Sequence, residues 1–154
     1  MIFLMNGKPR VLRTSLTVTL SLLAVAGWCQ SAFADAATGL LETSAGPYVF
    51  TPATCAVHRE DGVDDIEIGG PGTAPDGEEF YFELSAIGNE LTVSLGVNGP
   101  FASSDRKLRA GRYVSREFAL EVSGMTMAAR NLVLVDENRD PVDDDATLTI
   151  DCGG

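Results

Sequence analysis

Nucleophilic chemistry in this chain would have to run through His58, the single histidine. A serine or cysteine nucleophile needs an adjacent base, so any Ser-His-Asp or Cys-His site must use it. His58 lies beside Arg59, Glu60 and Asp61, and no G-x-S-x-G or comparable nucleophile turn occurs in the sequence. It reads as a solvated surface histidine, and neither enzyme activity nor a catalytic residue is expected. Carboxylate-pair catalysis has no content at this level, because 22 acidic residues always include some close pair and only their spatial separation defines a mechanism.

Two other groups have the right residue types for binding. Asp136, Asn138 and Asp140 have the alternate spacing of the first ligands of an EF-hand loop, but Pro141 stands where the turn needs glycine and Thr147 where the bidentate glutamate belongs. The segment 136–145 reads as a solvated acidic turn, and no metal or cofactor is expected. Arg106, Lys107, Arg109 and Arg112, with Arg116, place five basic residues in eleven positions. An arginine-rich strip on an acidic protein suits a carboxylate or sulfate, so Arg106, Lys107, Arg109 and Arg112 form the candidate contact patch. The alternative is charge balance with Asp105, Glu117 and Glu121. Gly69-Gly70-Pro71-Gly72 lacks the Lys-Ser/Thr ending of a phosphate loop.

The elements that must position these residues follow a secretory leader. Lys8, Arg10 and Arg13 form a basic region, Leu16 to Ala26 an uncharged apolar one, and Ala32-Phe33-Ala34 a cleavage site, so residues 1–34 are expected to be removed. Eleven apolar-region residues are too few for a stable membrane span, which needs about 20. Trp28 replaces the small residue that a lipoprotein signal places before its cysteine, so Cys29 is expected to be discarded rather than lipidated. The remaining 120 residues suit one domain. All 22 acidic residues but only 8 of the 11 basic ones lie after the leader, giving a mature charge of −14. Such a surface disfavours nucleic acid and anionic membranes. A secreted or cell-envelope location is expected.

Two cysteines then remain, and an even count in an exported chain favours a Cys55–Cys152 disulfide over two free thiols. Those two with His58 are too few and too widely spaced for a zinc site. Residues 35–47 are small and weakly patterned, and read as a flexible arm. From 48 to 154 apolar residues alternate: Val49, Ala53, Cys55 and Val57 around Pro52; Ile66 and Ile68; Phe80, Phe82, Leu84 and Ala86; Leu91, Val93, Leu95 and Val97; Phe118, Leu120 and Val122; and Leu148, Ile150 and Cys152. The Phe80 and Leu91 runs flank a Gly88-Asn89 turn and predict a hairpin. Gly69 to Gly77 reads as a loop, Gly124 to Ala129 as a Met-rich connector, and Leu132 to Val135 as a strand covered on both faces. The pattern predicts an all-β fold, a small antiparallel β-sandwich of about eight short strands closed by one disulfide.

Cys55, Ile66-Glu67-Ile68-Gly69-Gly70, Leu91 to Gly99 and the terminal Thr147 to Cys152 together resemble the LpqH-type lipoprotein antigens of mycobacteria. The resemblance implies a surface-exposed, disulfide-closed β domain without known catalysis, discussed as an adhesin and antigen. The expected function is therefore an exported, non-enzymatic interaction or antigen-type protein whose partner is a protein or surface ligand. An alternative from another class is a carrier that holds a small apolar ligand between the sheets near Phe80, Phe82 and Phe118.

Overall fold

Alternating apolar and polar residues turn one face of each strand toward a common interior, and ten strands do so in the computed structural model. It describes residues 36–88, 90–97, 106–112, 114–115 and 117–154, which belong to one folded unit. The expected leader and Cys29 lie outside them. The strands are β1 (Thr38–Thr43), β2 (Gly46–Phe50), β3 (Thr54–Glu60), β4 (Val63–Thr73), β5 (Glu79–Ile87), β6 (Glu90–Gly96), β7 (Arg106–Gly111), β8 (Ala119–Ser123), β9 (Thr126–Val135) and β10 (Pro141–Asp151).

The sheet is a barrel, which corrects the expected sandwich. Neighbours run β10-β1-β2-β4-β5-β6-β7-β9, and β9 pairs in turn with β10, so eight strands close a circuit without a free edge. All ladders are antiparallel. The other two strands extend this wall. β3 continues the line of β2 along the first part of β4, and β8 lies against the first part of β9. Alternation alone is the same for a strand in a sandwich and in a barrel, and the long-range pairing of β1 with β10 decides between them.

That pairing also corrects the expected arm, because Thr38–Thr43 is β1, bonded to β10 on one side and β2 on the other. The expected loop at Gly69–Gly77 is corrected in part, since β4 continues through Thr73. Its glycines serve the interior. Gly39, Phe50, Gly72 and Phe80 stand side by side across β1, β2, β4 and β5, so each ring occupies space left by a missing side chain. A Cβ on Gly39 would lie 2.1 Å from the Phe50 ring and one on Gly72 2.5 Å from that of Phe80. The bore of an eight-stranded barrel is just wide enough for side chains to fill or for one small ligand, and here aromatic and aliphatic side chains occupy it. Phe50 stacks on the fully buried Phe82 at 3.9 Å between centroids, and Leu41, Ile66, Leu84, Leu95, Leu134 and Ile150 pack around them.

Further details follow from backbone irregularities. Asn131 takes a positive φ of 58°, so Met127 and Ala129 before it and Leu132 and Leu134 after it all reach the core. Gly124 and Met125 form a tight turn rather than a longer connector, and β9 starts at Thr126. The predicted β5–β6 hairpin is present, from Ile87–Glu90 to Tyr81–Gly96. Outward positions such as Glu67, Glu83, Arg130, Asp145 and Thr147 are polar, the reverse of the apolar outer band of a lipid-facing barrel. No helix among the described residues is long and apolar enough to cross a membrane.

Cys55 and Cys152 form the disulfide, with Cα atoms 6.0 Å apart and a sequence separation of 97. It sits where β1 begins at Thr38 opposite Asp151, so it joins β3 to the end of β10 just beyond the reach of that strand.

Two predictions follow. Gly39→Ala should cost about 1–3 kcal/mol through overpacking, with part recovered by Phe50→Leu in the same chain; an unchanged denaturation midpoint for Gly39→Ala alone would show that the row is not tight. The Cys55→Ser/Cys152→Ser protein should lose about 2–4 kcal/mol. Its loss of hydrogen-exchange protection should concentrate in β3 and the end of β10, and equal loss in all strands would contradict a local staple.

Candidate functional site

A bore filled by side chains leaves the rim and the outer wall as places for a ligand. At one end of the barrel the loop from Ala74 to Glu78 turns on Gly77, at φ 88°, with Ala74 N–H donating to the Glu78 carbonyl at 2.9 Å. Two clefts open there, on either side of Phe80. The larger, about 520 Å³, is lined by Val49, Phe50, Pro71, Tyr81 and Val97 among others. The smaller, about 250 Å³, is lined by Tyr48, Ala74, Asp76, Leu95, Lys107 and Leu108 among others. Glu79, Phe80 and Val97 belong to both.

The sequence pattern turned Val49 and Val97 inward, but they are 53% and 48% exposed. The interruption between β2 and β3 around Pro52 separates the phase of Val49 from that of Cys55, and Phe50 takes the interior position. Val97 lies beyond the last residue of β6, next to a register shift at Gly96. Tyr48 meets the Phe80 ring edge-on at 5.5 Å. Burial, and secondarily the Asp76 carboxylate, push its hydroxyl above the ordinary phenol range, so it stays a neutral donor at physiological pH.

Of the phenylalanines predicted to line a ligand space, Phe80 borders both clefts, Phe82 is sealed in the core, and Phe118 is half-buried against it. The space expected between two sheets is, in a closed barrel, an interior packed with aromatic and aliphatic side chains, and Phe80 is where that interior meets the rim clefts. Arg106, Lys107, Arg109 and Arg112 all lie on or next to β7, but they divide. Arg106 bonds Glu83 at 2.8 Å, Lys107 reaches Glu78 at 3.5 Å over the smaller rim cleft, and Arg112 pairs with Glu90. These three partners sit on or beside β5 and β6. Arg106 and Arg109 share a third cleft of about 380 Å³ with Arg139, from the β9–β10 loop. No spacing in the sequence links residue 139 to residue 109; the pairing of Arg109 with Val135 brings them together.

His58 is exposed on β3, opposite Asp65. In the acidic loop the Asp136 carboxylate accepts the amides of Asn138 and Asp140 at 2.8 and 2.9 Å, and so closes an Asx turn. No group of three or more His, Cys, Asp or Glu among the described residues is placed to hold a metal ion. Comparison with protein-family models, with curated proteins and with solved structures finds no match to the chain.

Asp143 anchors this hairpin to the β1–β2 turn. Burial would raise its pKa, but amides of Ser44, at 2.5 Å, and Asp145, at 2.9 Å, outweigh that and hold it below the ordinary 3.8. A depressed folded-state pKa contributes stability above the unfolded value and loses it as pH falls through the folded one. Asp143→Asn should therefore cost on the order of 1 kcal/mol at pH 7, and the gap to the parent protein should close as pH drops below 3.8. A gap constant down to pH 2 would contradict this.

Proposed function

We propose that the protein is a non-catalytic binding module that takes a small apolar ligand in the paired clefts flanking Phe80. The observation that carries this reading is the convergence of Val49 and Val97, two of the six exposed large apolar side chains among the described residues, on one cleft floored by Phe80. Covering the exposed half of one such valine gains about 1 kcal/mol, and the two clefts fall near the size range of small-molecule sites. Tyr48 supplies a polar handle at the edge, and the Lys107–Glu78 pair borders the smaller cleft. This keeps the idea of an apolar-ligand carrier but moves the ligand from the interior to the rim.

Export belongs to the same proposal. A disulfide such as Cys55–Cys152 forms and persists in oxidising surroundings, and the leader-like residues 1–34 support passage to them. The likeness to LpqH-type antigens is consistent with a protein displayed or released outside the cytoplasm.

Titration with the neutral dye N-phenyl-1-naphthylamine tests the site. Fluorescence should rise saturably, and Val49→Asp or Val97→Asp should weaken binding at least about tenfold, equivalent to 1.4 kcal/mol, with little change in melting temperature because both side chains are exposed. Absence of saturable binding, or binding untouched by both substitutions, would refute the proposal.

A further inference from the structure

The ladder around the barrel is thinnest between β7 and β9, which pair among the described residues only at Arg109 and Val135. Strands that meet so briefly leave a groove on the outer wall. Its sides come from separate elements, each fixed for its own reason. β7 supplies Arg106 and Arg109, and Glu83 holds Arg106 from β5. The turn after β7 supplies Val114, whose amide donates to the Gly111 carbonyl at 2.9 Å. Gly111 is at φ 106°, and a Cβ there would lie 1.7 Å from the Leu91 carbonyl oxygen, so only glycine fits at this position. From the other end, the Asx turn built on Asp136 presents Arg139 at φ 72°.

The groove is lined by Thr92, Ser94, Arg106, Arg109, Ala110, Val114, Val135 and Arg139. Three are arginines and none is acidic, in a chain whose formal net charge is −11. Arg139 makes no ion pair among the described residues. The buried Val135 and half-buried Val114 add apolar surface beside the guanidinium groups.

We propose that this groove is a second binding site, which takes an organic carboxylate bearing a short apolar group. The carboxylate lies on Arg139, and the apolar group lies on Val114 and Val135. A guanidinium offers two parallel donors to a carboxylate, and a bare inorganic anion would leave the apolar wall unused. The acidic remainder of the surface repels anions, so the groove is the place where one is retained.

The site is independent of the clefts at Phe80, and the test keeps them apart. Hexanoate, with hexanol as its neutral counterpart, is titrated against isotope-labelled protein and followed by NMR. Hexanoate should shift the methyl signals of Val114 and Val135 saturably, with affinity falling as salt is raised. Arg139→Gln should weaken it at least tenfold, whereas Val97→Asp should leave it unchanged. Equal shifts by hexanol, affinity unchanged in Arg139→Gln, or shifts confined to Val49 and Val97 would each overturn the proposal.

Discussion

Eight strands closed into a barrel enclose a bore about one layer of side chains wide, and the contents of that bore constrain everything else in the molecule. Phe50 and Phe82 lie nearly parallel at its centre, 13° apart. Phe50 fits because Gly39 and Gly72 stand beside it with no side chain of their own. Large against small across neighbouring strands is how a narrow barrel reaches the close packing of a protein interior. Loss of either partner in the row is felt by the other, since a ring without its glycine collides and a glycine without its ring leaves a void.

The interior is packed, and both proposed sites lie outside it. The aromatic row reaches the rim at Phe80, where Tyr48, Val49 and Val97 continue an apolar surface that solvent can reach. On the wall, a ladder that among the described residues has one residue pair between β7 and β9 runs beside the arginine-lined groove. At the other end of the barrel the Cys55–Cys152 bond takes over where β1 begins. Both proposed sites thus occur at interruptions of the same closed surface, one where strands end and one where two strands diverge.

Much of the strand content could be read directly. Phe82, Leu84, Leu91, Val93, Leu148 and Ile150 alternate without interruption, and each is buried as that alternation requires. Errors gathered where the backbone departs from a regular ladder. Gly69–Thr73 looked like a loop because glycine and proline weaken strands in general, yet here the glycines leave space for Tyr81, Phe80 and the Thr51 backbone. Residues 38–43 looked unpatterned because only Leu41 and the small Gly39 face inward. Val49 and Val97 were assigned to the core by a phase that ends at Pro52 and at the Gly96 shift. Arg139 had no sequence signal, since its place beside Arg109 depends on strand pairing.

By itself the sequence determined that the chain is all-β, which face of most strands is buried, and that two cysteines are available at the ends of the core. Those properties depend on residues within a few positions of one another, and side-chain alternation with period two expresses them. Tertiary structure alone decided that the sheet closes, that its interior is full, and that three arginines from β7 and the β9–β10 loop share a groove. Each of these depends on which distant strands become neighbours, and in what register, and a periodic pattern common to sandwiches and barrels carries no information about that.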